Sequence, residues 1–458
     1  MFIGSALPAP EANPPHGDPA VTLIFPAVEH WIPEDLNQAL RKWRRGAWAC
    51  AALTAPRMLR LELLQASHPN LSFQETLREV WQTGLFQGCV TGSLPSSAAL
   101  AQARARFPTC AWERLFRHTV ALAPHLPLPS LQPRQRLLGI DGTPLTVPNT
   151  PTNRAAFGFT RHQHGDAYYP QAQAVWVSQV LSGHLLAEHL GPLREGDETV
   201  APRLLPAVLR PADVLLGDAH FGNYPILAIT QAAGAYFLVR APGPLDPDAH
   251  VTHAHAPDDA DLLLPRTPYI QDKYGALQLP AQLALRSVRF AIPKRDELNR
   301  VEQADFLTNL PRHSFSVPAL RALATHRWNH ETFNNDIKTR LGLGDLRSLT
   351  PWTVRHEVWA HLCLNNLVRL LQHQAYPEHP LNCSFTAACS ALRQANFQLR
   401  LHPQSQASLW ATVQHLLLAQ PVAHRPGRTE PRMKRPDHRP YPIFKTPRAE
   451  WRAQREGR

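Results

Sequence analysis

Cysteine is scarce in this 458-residue chain, with six copies, and methionine is scarcer still, with three. Cys50, Cys89, Cys110, Cys363, Cys383 and Cys389 are scattered and form no Cys-x-x-Cys pair. That spacing excludes a zinc-ribbon site and a disulfide framework, and reads as buried thiols in a reducing cytosol. No run of 18 or more apolar residues occurs, so no membrane span is expected. The first residues, MFIGSALPAPEANPPHGDP, lack the basic start and apolar stretch of a secretory signal.

Proline, by contrast, is abundant at 45 residues, and the charge is one-sided at +11. Residues 421–458 hold eleven Arg/Lys against four Asp/Glu, a balance of +7 that leaves +4 for the other 420 residues. A polyanionic partner fits this excess, although a basic tail can also be only a solvated arm. Hydrophobic residues make up 44%, enough for a substantial core in two to four structural units.

Residues 1–33 carry seven prolines and no sustained period, and read as irregular. Residues 34–130 read as a helical domain of probable DNA-binding role. Its marks are a capping box at Ser72–Glu75 and Ser caps opening a basic helix over residues 98–107. That helix suits a DNA groove and a packed surface equally. Residues 131–375 then alternate in another way. RLLGIDGTPLTV, QAQAVWVSQVLSG and HLLAEHLG read as three antiparallel strands, DETVAPRLLPAVL as a helix, ADVLLGDAHFGN as a buried strand, YPILAITQAAGA as a helix and YFLVRA as a strand. The order βββαβαβ predicts a mixed sheet with helices, an α/β fold. Residues 242–310 read as a β-rich insertion, and HVTHAH at 250–255 within them as a polar loop. Residues 376–420 read as a C-terminal helical region, and 421–458 as an extended basic, Pro-rich tail.

Three carboxylates stand out by position. Asp141 lies on the first strand, Asp218 ends the fourth, and Glu331 sits in RWNHETFNNDIK after the insertion. If the first and fourth strands are neighbours, Asp141 and Asp218 meet. At about 100° per residue, Arg327, Glu331 and Lys338 fall on one helix face, while Phe333, Ile337 and Leu341 fall on another. Each observation has a plain structural reading. Asp141 before Gly142 is a good turn residue, Asp218 can cap a helix, and Arg and Glu four apart stabilise a helix. Converging acids repel unless cations bind between them, and hard oxygen donors suit Mg²⁺ or Mn²⁺. GDAHFGN also hints at a metallophosphoesterase, but that fold's further Asp and His motifs are missing from the sequence.

The chain resembles the DDE transposases of bacterial insertion sequences, in the family that includes insertion sequence four. That family's last motif, Tyr-x2-Arg-x3-Glu-x6-Lys, is matched by Arg327, Glu331 and Lys338, with Trp328 after the Arg and Ala324 at the Tyr position. DGTPLTVPNTPTNRAAFG and GDETVAPRLLPAVLRPADVLLGDAHFGNYPILAITQAAGAYFLVRA resemble the segments of its first and second Asp. The resemblance runs over residues 35–375. It implies a ribonuclease-H-like core interrupted by the β-rich insertion. It implies Asp141, Asp218 and Glu331 as catalytic ligands of two Mg²⁺ ions, with Mn²⁺ as a substitute. Arg327, Lys338 and Trp328 become contacts to double-stranded DNA, both the element's terminal repeats and target DNA. The resemblance further implies a homodimer on paired ends, with no membrane partner, in the bacterial cytoplasm near the nucleoid. The activity expected is two-metal cleavage of the element's ends and joining of their 3′-hydroxyls to target DNA. A non-catalytic DNA-binding descendant of a transposase and a hydrolytic metal-dependent nuclease are the alternatives.

Overall fold

The computed structural model describes residues 32–43, 52–81, 94–128, 131, 135–159, 161–162, 165–166, 168–243, 250–293, 301–401, 406–422, 450 and 453. Nearly all of the 1–33 segment and of the 421–458 tail, together with Cys50 and Cys89, lie outside these residues.

The framework is a nine-stranded sheet whose central strands are buried on both faces and whose last strands are partly exposed. In chain order its strands are β1 (Leu137–Thr146), β4 (Gln171–Gln179), β5 (Leu185–Pro192), β6 (Val214–Gly217), β7 (Tyr236–Arg240), β8 (Val251–Ala256), β9 (Asp259–Pro265), β10 (Gln282–Pro293) and β11 (Val301–Thr308). A two-residue hairpin, β2 (Arg161–His162) and β3 (Gly165–Asp166), stands apart. The spatial order is β5-β4-β1-β6-β7-β11-β10-β9-β8. β1, β4 and β5 form an antiparallel meander. β6 then runs parallel to β1, and β7 parallel to β6. The βββαβαβ reading holds as a mixed sheet, and three antiparallel strands followed by two parallel ones is the order of the ribonuclease-H-like core that the resemblance implies. β8–β11 extend the same sheet past β7 through the β11–β7 pairing, so residues 251–308 continue the core sheet.

Helices cover both faces. On one side Leu138, Ile140, Val175 and Val177 pack with the helices Asp197–Leu204 and Tyr224–Ala232. On the other, Leu145, Ala172, Ala174 and Trp176 pack with the N-terminal helices and with the long helix Pro351–Ala375. That helix opens on Thr350, whose side chain accepts from the Thr353 N–H, with a proline in its first turn. Its buried residues lie on nearly every side, which places it at the centre of a helical layer. The helices Ala55–Ser67 and Thr109–Ala121 share this core, so the N-terminal helices pack with the described helices between residues 351 and 418. The capping box is formed: the Ser72 N–H donates to Glu75 at 2.7 Å, and the Glu75 N–H to Ser72 Oγ at 3.2 Å.

Three expectations are corrected. HVTHAH forms the strand β8 in place of a polar loop. It is an edge strand with most side chains exposed, so no alternation of apolar and polar residues marks it. Cys110 is exposed, unlike Cys363, Cys383 and Cys389, because it falls on the side of the helix Thr109–Ala121 opposite the buried Ala111 and Trp112. The third correction concerns Lys338 and is given with the site. The basic helix Ser97–Arg106 packs inward through Arg104, which pairs with Glu62 at 3.3 Å and stacks 4.7 Å from the Phe73 ring. No helix of the described residues is long and apolar enough to cross a membrane.

Candidate active site

The parallel pairing of β1 and β6, with Gly139 opposite Leu216, puts Asp141 beside Asp218, the residue following β6. Asp141 is pushed up to about 6, first by burial and then by the Asp218 charge, with a further contribution from Asp197. Asp218 caps only a short 3-10 turn over Ala219–Phe221, where its Oδ1 accepts from the His220 N–H at 2.9 Å. The helix after it is capped by Asn223 instead.

The helix Arg327–Asn335 runs along β1. Its fit depends on Gly139, where an added Cβ would lie 2.8 Å from His330 Nδ1 and from Val180 Cγ1. His330 is buried and bonds Ser178 Oγ at 2.8 Å, and burial pulls its imidazole down to about 3, so it is neutral. Four residues on, Asn334 Nδ2 donates to Asp141 Oδ2 at 2.7 Å. Four further, Lys338 Nζ donates to Thr143 Oγ1 at 2.8 Å and to the Pro144 carbonyl at 3.3 Å. Helix positions 330, 334 and 338 thus match strand positions 139, 141 and 143. Four helical residues rise about 6 Å, close to the advance of two strand residues.

Lys338 therefore belongs to the row facing β1, with Asn334, and not to the row of Glu331 as a uniform helix predicts. The backbone leaves α-helical geometry at Asp336 and makes a π turn over Asp336–Arg340, which rotates the later side chains. Arg327 and Glu331 do share a row and form an ion pair at 3.2 Å. They line a cleft of about 500 Å³ with Asp218, His220, Arg240, Glu302, Ala324 and Trp328. The Arg327 guanidinium lies 4.7 Å over the Trp328 ring. Ala324, at the motif's Tyr position, forms part of the cleft wall.

The structure therefore brings Asp218, Glu331, Arg327 and Trp328 to one cleft, and Asp141 and Lys338 to its β1 side. Sequence reasoning missed Asp197 and Asn334. Asp197 lies over Gly142, where an added Cβ would fall 1.9 Å from its Oδ1, and it accepts from Gln173 Nε2 at 2.5 Å. Its carboxyl is raised by burial and, less, by Asp218. The DE pair that opens its helix resembles ordinary first-turn acids, so no signal distinguished it.

A carboxylate whose proton affinity is raised by burial beside another acid, as at Asp141, is a donor suited to a hard divalent cation. Asp141, Asp218 and Glu331 fit such an ion by donor type. Among the described residues, no three His, Cys, Asp or Glu side chains already stand at metal-ligand spacing. Glu331 turns to Arg327 in this arrangement.

The family model described as transposase DDE domain matches residues 132–367. The transposase InsG for insertion sequence element IS4, from Escherichia coli (strain K12), is 27% identical over 308 residues. The match covers 64% of this chain and 65% of that relative, just under two thirds of its length. A cryo-electron microscopy structure of the piggyBac transposase synaptic complex with hairpin DNA aligns over 88% of this chain and 84% of that one. Its TM-score is 0.42 at 10% identity, a likeness too distant to carry an argument.

Proposed function

We propose, for a chain that belongs to the transposase DDE-domain family, that it cuts DNA at the ends of an insertion element and joins the freed 3′-hydroxyls to target DNA. In the first step water attacks the end phosphodiester, the bond from phosphorus to the 3′-oxygen breaks, and a 3′-hydroxyl is left. In the second, that hydroxyl attacks a target phosphodiester and a target 3′-oxygen departs. Both steps gather charge on a phosphoryl group that must be held in line. Two divalent cations, when bound, would supply Lewis-acid chemistry to both steps.

The observation that carries the reading is the meeting of Asp141 and Asp218 through the β1–β6 pairing, with Glu331 on the Asp218 cleft. Asp141, Asp218 and Glu331 are the residues that would hold the cations. Arg327 and Lys338 flank them and would grip phosphates without reading bases. Trp328, with one side toward the cleft and Arg327 against its ring, offers an aromatic face to a displaced base. A dimer on paired ends is the assembly such a reaction calls for. Incubating the purified protein with its element's end sequence, target plasmid and Mg²⁺ tests the reading. Nicks at the end followed by joined products support it. Cleavage without joining would make the protein a nuclease, and binding without cleavage a non-catalytic DNA-binding protein.

A further inference from the structure

Asp141 is held at both oxygens. Its Oδ1 accepts from the Gly142 N–H at 2.9 Å, and its Oδ2 from Asn334 Nδ2 at 2.7 Å. The amide of Asn334 is held in turn, since its Oδ1 accepts from Trp176 Nε1 at 2.6 Å. Trp176 stands directly opposite Asp141 in the β1–β4 register, so the two side chains leave the sheet on the same face. Its ring is 1% exposed, and a buried indole N–H needs an acceptor.

The order of these bonds matters. An asparagine side chain presents a donor at one end and an acceptor at the other, and alone it can turn either way. Trp176 has only a donor, so it takes the amide oxygen and leaves the NH₂ pointing at Asp141. The group that meets the carboxylate is therefore always a donor, and it is neutral. A lysine or arginine there would occupy the carboxylate as a cation and compete with any metal ion. Asn334 restrains the carboxylate without competing for it in that way.

We propose that Asn334, oriented by Trp176, is a positioning residue that presets the Asp141 carboxylate for a divalent cation. The proposal rests on the reading of Asp141 as a metal ligand. Groups one step behind a metal ligand orient it, and their loss typically weakens binding about 10–100-fold.

Mn²⁺ binding to the full-length chain, measured by calorimetry, tests this with four proteins: wild type, Asp141→Ala, Asn334→Leu and Trp176→Phe. The result expected is loss of binding in Asp141→Ala and weakening of about tenfold or more in Asn334→Leu. Trp176→Phe keeps an aromatic ring but removes the N–H together with the pyrrole half of the indole, so it should weaken binding by a smaller factor, about threefold or more, by letting the amide turn. Thermal unfolding of each variant identifies any that fails to fold, and Trp176→Phe then carries the test. In end cleavage, the Mg²⁺ concentration for half-maximal rate should rise in both clamp variants. The rate at saturating Mg²⁺ should return close to wild type. A purely structural role would lower the rate at every Mg²⁺ concentration and leave the half-maximal point in place. Binding lost in Asp141→Ala but unchanged in both clamp variants would overturn the proposal and keep the metal site. Wild-type-like binding in Asp141→Ala, or no binding to wild type, would overturn the metal-ligand reading itself and the proposal with it.

Discussion

Arg369 Nη2 donates to Asp336 Oδ2 at 2.6 Å, across 33 residues of chain and out of contact with water. The bond ties the C-terminal part of the long helix Pro351–Ala375 to the first residue of the π turn that redirects Lys338. Arg369 is packed between rings, 4.7 Å from Phe333 and 4.3 Å from Phe385, and burial holds its guanidinium below the usual arginine range. Asp336 also pairs with Arg340 Nε at 2.8 Å, so removing Asp336 strands the buried Arg369 charge, at about 3–5 kcal/mol, whereas removing Arg369 leaves Asp336 its second partner. Asp336→Asn should lower unfolding free energy by about that much in urea titrations, and Arg369→Met by less. The double variant should lose less than the sum of the two.

Gly142 separates space from bonding at the site. An added methyl group would collide with Asp197, yet Gly142→Ala keeps the N–H that donates to Asp141. The variant should lower end cleavage at least tenfold by displacing Asp197 and the strand that carries Asp141, with a stability loss of about 1–3 kcal/mol. Single-turnover cleavage beside thermal unfolding checks both numbers. Wild-type cleavage would show that the crowding is relieved without moving either acid.

Glu62 sets a pH dependence far from the site. It is 3% exposed, and burial pushes its carboxyl up from 4.5 to about 7 against the pull of Arg104. A folded-state value above the unfolded one means that the folded chain holds the proton more tightly. Stability from this group is therefore full below about pH 4.5 and is lost as pH rises to about 7, on the order of 3 kcal/mol in all. Glu62→Gln cannot titrate, so its unfolding free energy should fall less than that of wild type between pH 5 and 8. Parallel curves for the two proteins would contradict this.

Lys338 faces Thr143 and the Pro144 carbonyl, one strand step from Asp141. Lys338→Ala should lower cleavage at saturating DNA at least tenfold while weakening end binding less than threefold. One phosphate contact among many adds little affinity, whereas a misplaced scissile phosphate costs rate steeply. Arg327→Lys should also be poorly tolerated, since the planar guanidinium serves both Glu331 and a bidentate phosphate grip. Unchanged cleavage with lower thermal stability would reduce both residues to helix-stabilising charges.

The sheet was legible because its strands alternate or run apolar between turn residues, and the meeting of Asp141 and Asp218 followed once β1 and β6 were neighbours. β8 was not legible, because a strand exposed on an edge carries no buried period. The turn at Asp336 was hidden for another reason. DIKTR keeps helical spacing on paper, while Asp336 finds its partner in Arg369, a residue on another helix. Asn334 was invisible because its role needs Trp176, 158 residues earlier, and their meeting depends on strand register and helix placement together.

The most direct test of the central claim, that Asp141, Asp218 and Glu331 form one reaction centre, is single-turnover cleavage of end DNA at saturating protein and Mg²⁺. Asp141→Ala, Asp218→Ala and Glu331→Ala are each measured beside their affinity for the same end. The account predicts that each substitution lowers the cleavage rate by about a thousandfold or more, as expected when a group central to transition-state stabilisation is lost. End affinity should stay within about threefold of wild type, because the acids hold cations and the flanking cations hold DNA. A near-wild-type rate in any one of the three would contradict the account and remove that acid from the centre.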